Sequence, residues 1–125
     1  MEIKNTINNI KNYSTADVSE AMQQKAIAEA RFMRGTAYWY IGTLWGCAVL
    51  YENTSDLVNN YVVPAQPRTD VIEFAIRDLE YAAKYLPEAS AEEGRVNKYS
   101  AYGMLSRMYL SMAGLTTTGQ YDGTN

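Results

Sequence analysis

The chain has no histidine in its 125 residues. That absence removes the commonest general base, the usual catalytic triads and most zinc sites. Cysteine is almost as scarce. Cys47 stands alone, so neither an internal disulfide nor a cysteine metal cluster can form, and it reads as a small buried hydrophobe. Positive charge is in the minority, with 11 lysines and arginines against 14 carboxylates and a net charge of −3. A nucleic-acid partner is excluded on that ground, because displacing phosphate counterions needs a basic patch. The opening MEIKNTINNIKNY lacks the apolar segment of a signal peptide. An enzyme without histidine would need a carboxylate pair, for which Glu92-Glu93 beside Gly94 is the candidate. The expectation is therefore no catalytic residues, no metal and no cofactor.

What is present is an ordinary globular composition, 47% apolar and 20% charged, enough for one modest domain. Its centre is Ala28 to Gly46, AEARFMRGTAYWYIGTLWG. After Arg34 the chain carries no charge from Gly35 to Tyr51, and Tyr38, Trp39, Tyr40 and Trp45 lie inside that run. A helix apolar on nearly every side belongs in an interior. Three glycines and two threonines in the run favour a core helix over a membrane span. Arg31 and Arg34 enter it as candidate anion binders or, more ordinarily, as partners of Glu29, other carboxylates or carbonyls.

Four helices are predicted, near residues 2–12, 17–45, 70–86 and 97–113, with no sheet. In the first, Ile3, Ile7 and Ile10 share a face. The second starts after the Ser14–Asp17 break and ends at Gly46 in a left-handed cap. Residues 47–67 have no clean periodicity; Asn53-Thr54-Ser55-Asp56 and Asn59-Asn60 are turn material, and a loop of this length is often functional. In the third helix, Asp70 and Glu73 have capping-box spacing, and Ile72, Ala75, Ile76, Leu79, Ala82, Ala83 and Leu86 form one stripe. Its other side, with Glu73–Arg77 and Glu80–Lys84 pairs, reads as a solvated face, and Pro87 stops it. Asn97 caps the last helix and Gly114 ends it. Ala101, Tyr102, Leu105, Met108, Tyr109 and Met112 share a face there, and Gly103 and Ser106 allow close helix approach. Leu79 and Leu105 should be buried. Met104, Met108, Leu110 and Met112 spread around this helix, so it lacks the polar outer face of a terminal repeat.

A degenerate repeat underlies these helices. Ala75, Leu79, Ala82 and Pro87 have the spacing of the second helix of a tetratricopeptide unit, and Tyr102, Leu105, Ser106 and Tyr109 that of the first. Ala30, Met33 and Tyr38 recur 71 residues later as Ala101, Met104 and Tyr109. The predicted fold is all-α, built of tetratricopeptide-like antiparallel helix pairs.

AEARFMRGTAYWYIGTLWG resembles the signature helix of the SusD/RagB family, the surface glycan-binding lipoproteins of the Bacteroidetes outer membrane. RTDVIEFAIRDLEYAAKYLP (Arg68–Pro87) and GRVNKYSAYGMLSRMYLSMAG (Gly94–Gly114) follow in that family's order. One departure is Val49, which stands in Gly46-Cys47-Ala48-Val49-Leu50 where the family usually has proline. The resemblance implies an outer-membrane, surface-exposed, non-enzymatic protein. It would bind an oligosaccharide or polysaccharide and work with a SusC-like TonB-dependent transporter. Family members are several times longer and carry a lipid on a cysteine near their start. Residues 1–125 therefore read as the amino-terminal part of an incomplete SusD-like scaffold. Membrane contact would run only through a lipid anchor absent from this chain, since Cys47 lies too deep in the pattern to be that anchor.

Sugar binding needs flat aromatic faces with amides and carboxylates beside them. Trp45, Tyr51, Asn53, Asp56 and Tyr61 offer these around the long loop and are the candidate ligand-binding residues. A tetratricopeptide-type protein-interaction scaffold without a sugar ligand is the alternative.

Overall fold

The computed structural model describes residues 2–13, 18–51, 62–90 and 92–117. Four helices follow one another: α1 (Glu2–Tyr13), α2 (Glu20–Trp45), α3 (Arg68–Tyr85) and α4 (Lys98–Thr117). No strand forms among the described residues, only an isolated antiparallel bridge between Ala48 and Gln66. The all-α, tetratricopeptide-like expectation holds.

The helix ends show which local signals win. α2 begins at Glu20, because the Ser19 hydroxyl accepts from the Met22 amide at 3.3 Å; Ser14–Asp17, the expected start, lie outside the described residues. α3 begins two residues before the expected Asp70. The Val71 amide closes the first turn on the Pro67 carbonyl at 3.1 Å, so Asp70 sits inside that turn, where its charge complements the helix dipole. Leu86 is extended ahead of Pro87, which ends α3 as expected. Asn97 does cap α4, its Oδ1 accepting from the Ser100 amide at 3.0 Å. Gly114 does not end it. Its φ is not positive, and the helix continues to Thr117.

α3 lies between α2 and α4, with its expected stripe turned inward. Ile72, Ala75, Leu79, Ala82 and Leu86 are all at most 2% exposed, and Leu105 and Met108 of α4 are buried against them. α2 and α3 approach closely at Gly35. A Cβ built on Gly35 would stand 2.3 Å from Leu79 Cδ2 and 2.9 Å from the Ala75 carbonyl oxygen, so only glycine lets the two backbones come this near. One stretch on, Gly42 faces Val71. Because Gly42 meets Val71 while Gly35 meets Leu79, the helices run antiparallel. Beside Gly35, Arg34 Nε and Nη2 donate to the two carboxylate oxygens of Asp78, both at 2.7 Å. Asp78 is 2% exposed, so the polar side of α3 is not wholly solvated. Glu73–Arg77 pair as expected at 2.7 Å, but Glu80 accepts from the Tyr109 hydroxyl at 2.6 Å, a latch between α3 and α4. That bond pushes the Tyr109 phenol up to about 12.

Three further expectations need correction. α2 is not hidden on nearly every side: Met33, Tyr40, Leu44 and Trp45 are exposed, since α3, α1 and a corner of α4 cover only part of it. Gly103 and Ser106 are exposed, and a Cβ at Gly103 would meet nothing within 4 Å, so neither mediates close helix approach. Cys47 is exposed. On α4, Met108 is fully buried and Met104 and Met112 pack partly on the core, which leaves Leu110 facing out.

Two glycines on helices therefore respond oppositely to alanine. Gly35→Ala is expected to lose roughly 1–3 kcal/mol to overpacking. Gly103→Ala should gain about 0.5–1 kcal/mol from helix propensity. Urea melts measure both, and a neutral or stabilising Gly35→Ala would show that α2 and α3 do not approach this closely.

Candidate functional site

The candidate site is built where α2 ends and the chain turns toward α3. Gly46 ends α2 where expected, but at φ +87° and ψ −76° it forms a γ-turn in place of the expected left-handed cap, with the Cys47 amide donating to the Trp45 carbonyl at 3.2 Å. Its own amide donates to the Gly42 carbonyl at 3.1 Å. Arg68, the first residue of α3, also donates its Nε to the Gly42 carbonyl, at 3.1 Å. A cation is thereby placed at the negative end of the α2 dipole. Beyond this cap the long loop is pinched at its neck. Ala48 and Gln66 exchange amide–carbonyl bonds of 3.1 and 2.7 Å.

Tyr38 ties the neck to α2. Its hydroxyl donates to the Val49 carbonyl at 3.3 Å and accepts from the Tyr51 amide at 3.4 Å. Burial pushes the Tyr38 phenol up, so the hydroxyl keeps its proton at neutral pH and serves as donor and acceptor together. Val49, at the family's proline position, thus contributes a carbonyl to a defined bond.

This framework separates the two candidate aromatics it describes. Trp45, the last residue of α2, is 71% exposed. Tyr51 is half-buried and lines an apolar cavity of about 390 Å³ with Ile3, Ala37, Tyr38, Ile41 and Val49. It packs the loop against α1 and α2, and Trp45 does not line that cavity. A second, more open cavity of about 390 Å³ begins at the residue after Trp45. It is bounded by Gly46, Cys47, Pro67, Arg68 and Thr69. A guanidinium and a hydroxyl therefore line one opening, and the exposed Trp45 precedes its first lining residue in the chain without itself lining it. Arg68 and Thr69 were not legible as site residues, because nothing local to them signals the distant Gly42 carbonyl or Gly46. Asn53, Asp56 and Tyr61 lie outside the described residues.

The carboxylate pair Glu92-Glu93 is exposed, with Glu92 3.6 Å from Arg95. Among the described residues no three potential ligands gather around a metal-sized space. No described helix is long and apolar enough to cross a membrane.

Comparison with known proteins agrees with this architecture. Residues 3–110 match the SusD-like_3 family, described as starch-binding and associating with the outer membrane. A SusD-like protein of Bacteroides ovatus is 41% identical over 116 residues, which are 93% of this chain and 21% of that protein. The SusD-like protein P25 of Formosa agariphila is 33% identical over 86 residues, 67% of this chain and 16% of that protein. A crystal structure solved with a xylogluco-oligosaccharide superimposes with a TM-score of 0.78 at 40% identity, covering 87% of this chain and 21% of that one. The chain thus spans about a fifth or less of the length of these relatives.

The Tyr38 hydroxyl makes a direct test of the loop neck. Tyr38→Phe keeps the ring but removes both bonds, and should cost about 0.5–1.5 kcal/mol. Hydrogen exchange at the Tyr51 amide should quicken in the same variant, and unchanged exchange would place that amide's protection elsewhere.

Proposed function

The chain belongs to the SusD-like family, and from that premise we propose that the protein captures glycan without cleaving it, at the cell surface. It hands the oligosaccharide to a SusC-like TonB-dependent transporter in the outer membrane. A lipid anchor outside these residues attaches it to that membrane. Residues 1–125 form the amino-terminal, tetratricopeptide-like part of a longer SusD-like domain, a reading supported by the fifth of their relatives' length that they match.

The observation that carries the sugar-binding reading is Trp45. A large indole that is 71% exposed at the end of a helix capped by Gly46 and Arg68 packs into no core cluster among the described residues. Held by a rigid helix end, it offers a preorganised stacking face at little entropic cost. Arg68 and Thr69 supply donors at the cavity that begins at the next residue, Gly46, and Tyr51, Asn53, Asp56 and Tyr61 remain the further candidates for ligand contact. The relative crystallised with a xylogluco-oligosaccharide makes xyloglucan fragments the first ligands to try. A scaffold that binds peptides is the second reading, and the exposed Met33, Ala37, Tyr40 and Leu44 along α2 favour it.

Titration calorimetry with xylogluco-oligosaccharides separates the two. Trp45→Ala is expected to weaken sugar binding about three- to tenfold, the equivalent of ~0.5–1.5 kcal/mol of stacking. Its melting should stay within about 0.5 kcal/mol of the parent, as for an exposed position. Sugar binding unaffected by Trp45→Ala, or impaired instead by Tyr40→Ala, would remove the loop neck from the site.

A further inference from the structure

A third cavity, of different chemistry, lies between α1, α2 and α3, with a volume of about 160 Å³. At ~30 Å³ per water, that is room for about five water-sized groups. Four cations line it: Lys11 from α1, Arg31 and Arg34 from α2, and Arg77 from α3. Asp78 is the one carboxylate among the described residues lining it, and both its oxygens are already held by Arg34 at 2.7 Å. The carboxylate that holds Arg77, Glu73, is not among the lining residues. Charge in this space is thus strongly unbalanced toward positive.

Arg31 carries the argument. Its Nε is buried and has no hydrogen-bond acceptor among the described residues. The nearest carboxylate oxygen, Asp78 Oδ1, is 4.0 Å away, too far for a hydrogen bond. A buried donor without an acceptor costs on the order of 1–3 kcal/mol, more when charged, so such groups are retained where something accepts from them. The guanidinium is also oriented in advance, with its Cζ 4.2 Å from the centre of the Tyr81 ring. Phe74 forms an apolar wall that lowers the local dielectric and strengthens attraction for an anion.

We propose that this cavity binds one oxyanion, a sulfate or carboxylate group that accepts from Arg31 Nε. Lys11 and Arg77, on α1 and α3, close around its outer side. Planar guanidinium forks match such groups in geometry as well as charge. The oxyanion comes either as a free ion or as a substituent of an acidic glycan. This site uses none of the residues of the loop neck, so it stands or falls apart from the neutral-sugar reading of Trp45.

Sodium sulfate, titrated at constant ionic strength with sodium chloride as balance, is the probe, followed by calorimetry and by the melting temperature. A saturable rise in melting temperature with sulfate over chloride is expected. Arg31→Gln should weaken sulfate binding at least tenfold. Lys11→Gln, at an exposed position, should weaken it several-fold without harming the fold, and Arg107→Gln on α4 should leave it unchanged. In a parallel arm, an oligogalacturonate that competes with sulfate would place the oxyanion on a glycan. Sulfate binding without such competition would make the ligand a small free ion; either result upholds the site. Sulfate that acts no differently from chloride would overturn it. So would sulfate binding that survives both Lys11→Gln and Arg31→Gln.

Discussion

Everything in this structure depends on how near α2 comes to α3 at Gly35, and on the buried fork between Arg34 and Asp78 beside it. The two side chains are 8% and 3% exposed, so each has given up most of its water. Such a pair adds little net stability, because desolvation offsets most of the attraction. Its effect is on register. A guanidinium seated on both carboxylate oxygens tolerates neither a slide of one residue nor a rotation of either helix. Gly35 then permits the contact that the fork demands, since any larger residue there would strike Leu79 and the Ala75 carbonyl.

The consequences run along both helices to the loop neck. With Gly35 fixed against Leu79, antiparallel packing brings Gly42 onto Val71 and the end of α2 next to the start of α3. Arg68 reaches the Gly42 carbonyl only because of that alignment. Ala48 and Gln66 can then bond across the neck, and Tyr38, whose ring meets Phe74 edge-on at 5.2 Å, holds Val49 and Tyr51. Trp45 is left facing outward at the end of a helix that is braced from three directions. Packing in the middle of the molecule thus positions a surface residue, which is how the fold bears on the proposed glycan site.

Much of this was legible in the sequence where the signal is local. The α3 stripe has strict helical spacing, and every member of it is buried, because a single face decides burial on an amphipathic helix. Asn97 and Gly46 act through neighbours three or four residues away, and both were readable. The misreadings share a different cause. Asp78 lies among charged residues that look solvated, and its partner is 44 residues distant. Trp45 and Cys47 sit in an apolar run that suggested burial, yet a run's composition does not reveal how many faces its neighbours cover. Gly114 has the sequence context of a stop, but a glycine ends a helix only where the chain turns, and here it does not. Of the five candidate binding residues, Trp45 lies exposed at the end of α2, and Asn53, Asp56 and Tyr61 lie outside the described residues. Tyr51 proved to face an apolar cavity, and Arg68 and Thr69 entered only through the long-range geometry of the neck.

A double-mutant cycle on Arg34 and Asp78 tests the organising role of their contact most directly. Arg34→Met and Asp78→Leu should each be strongly destabilising alone, by about 3–5 kcal/mol, because each leaves an unpaired charge buried. Together they should lose less than the sum of the two, by a coupling energy of about 2–3 kcal/mol in urea melts. Additive losses, with coupling below about half a kcal/mol, would show that the two residues do not share a buried contact and that the α2–α3 register is set elsewhere.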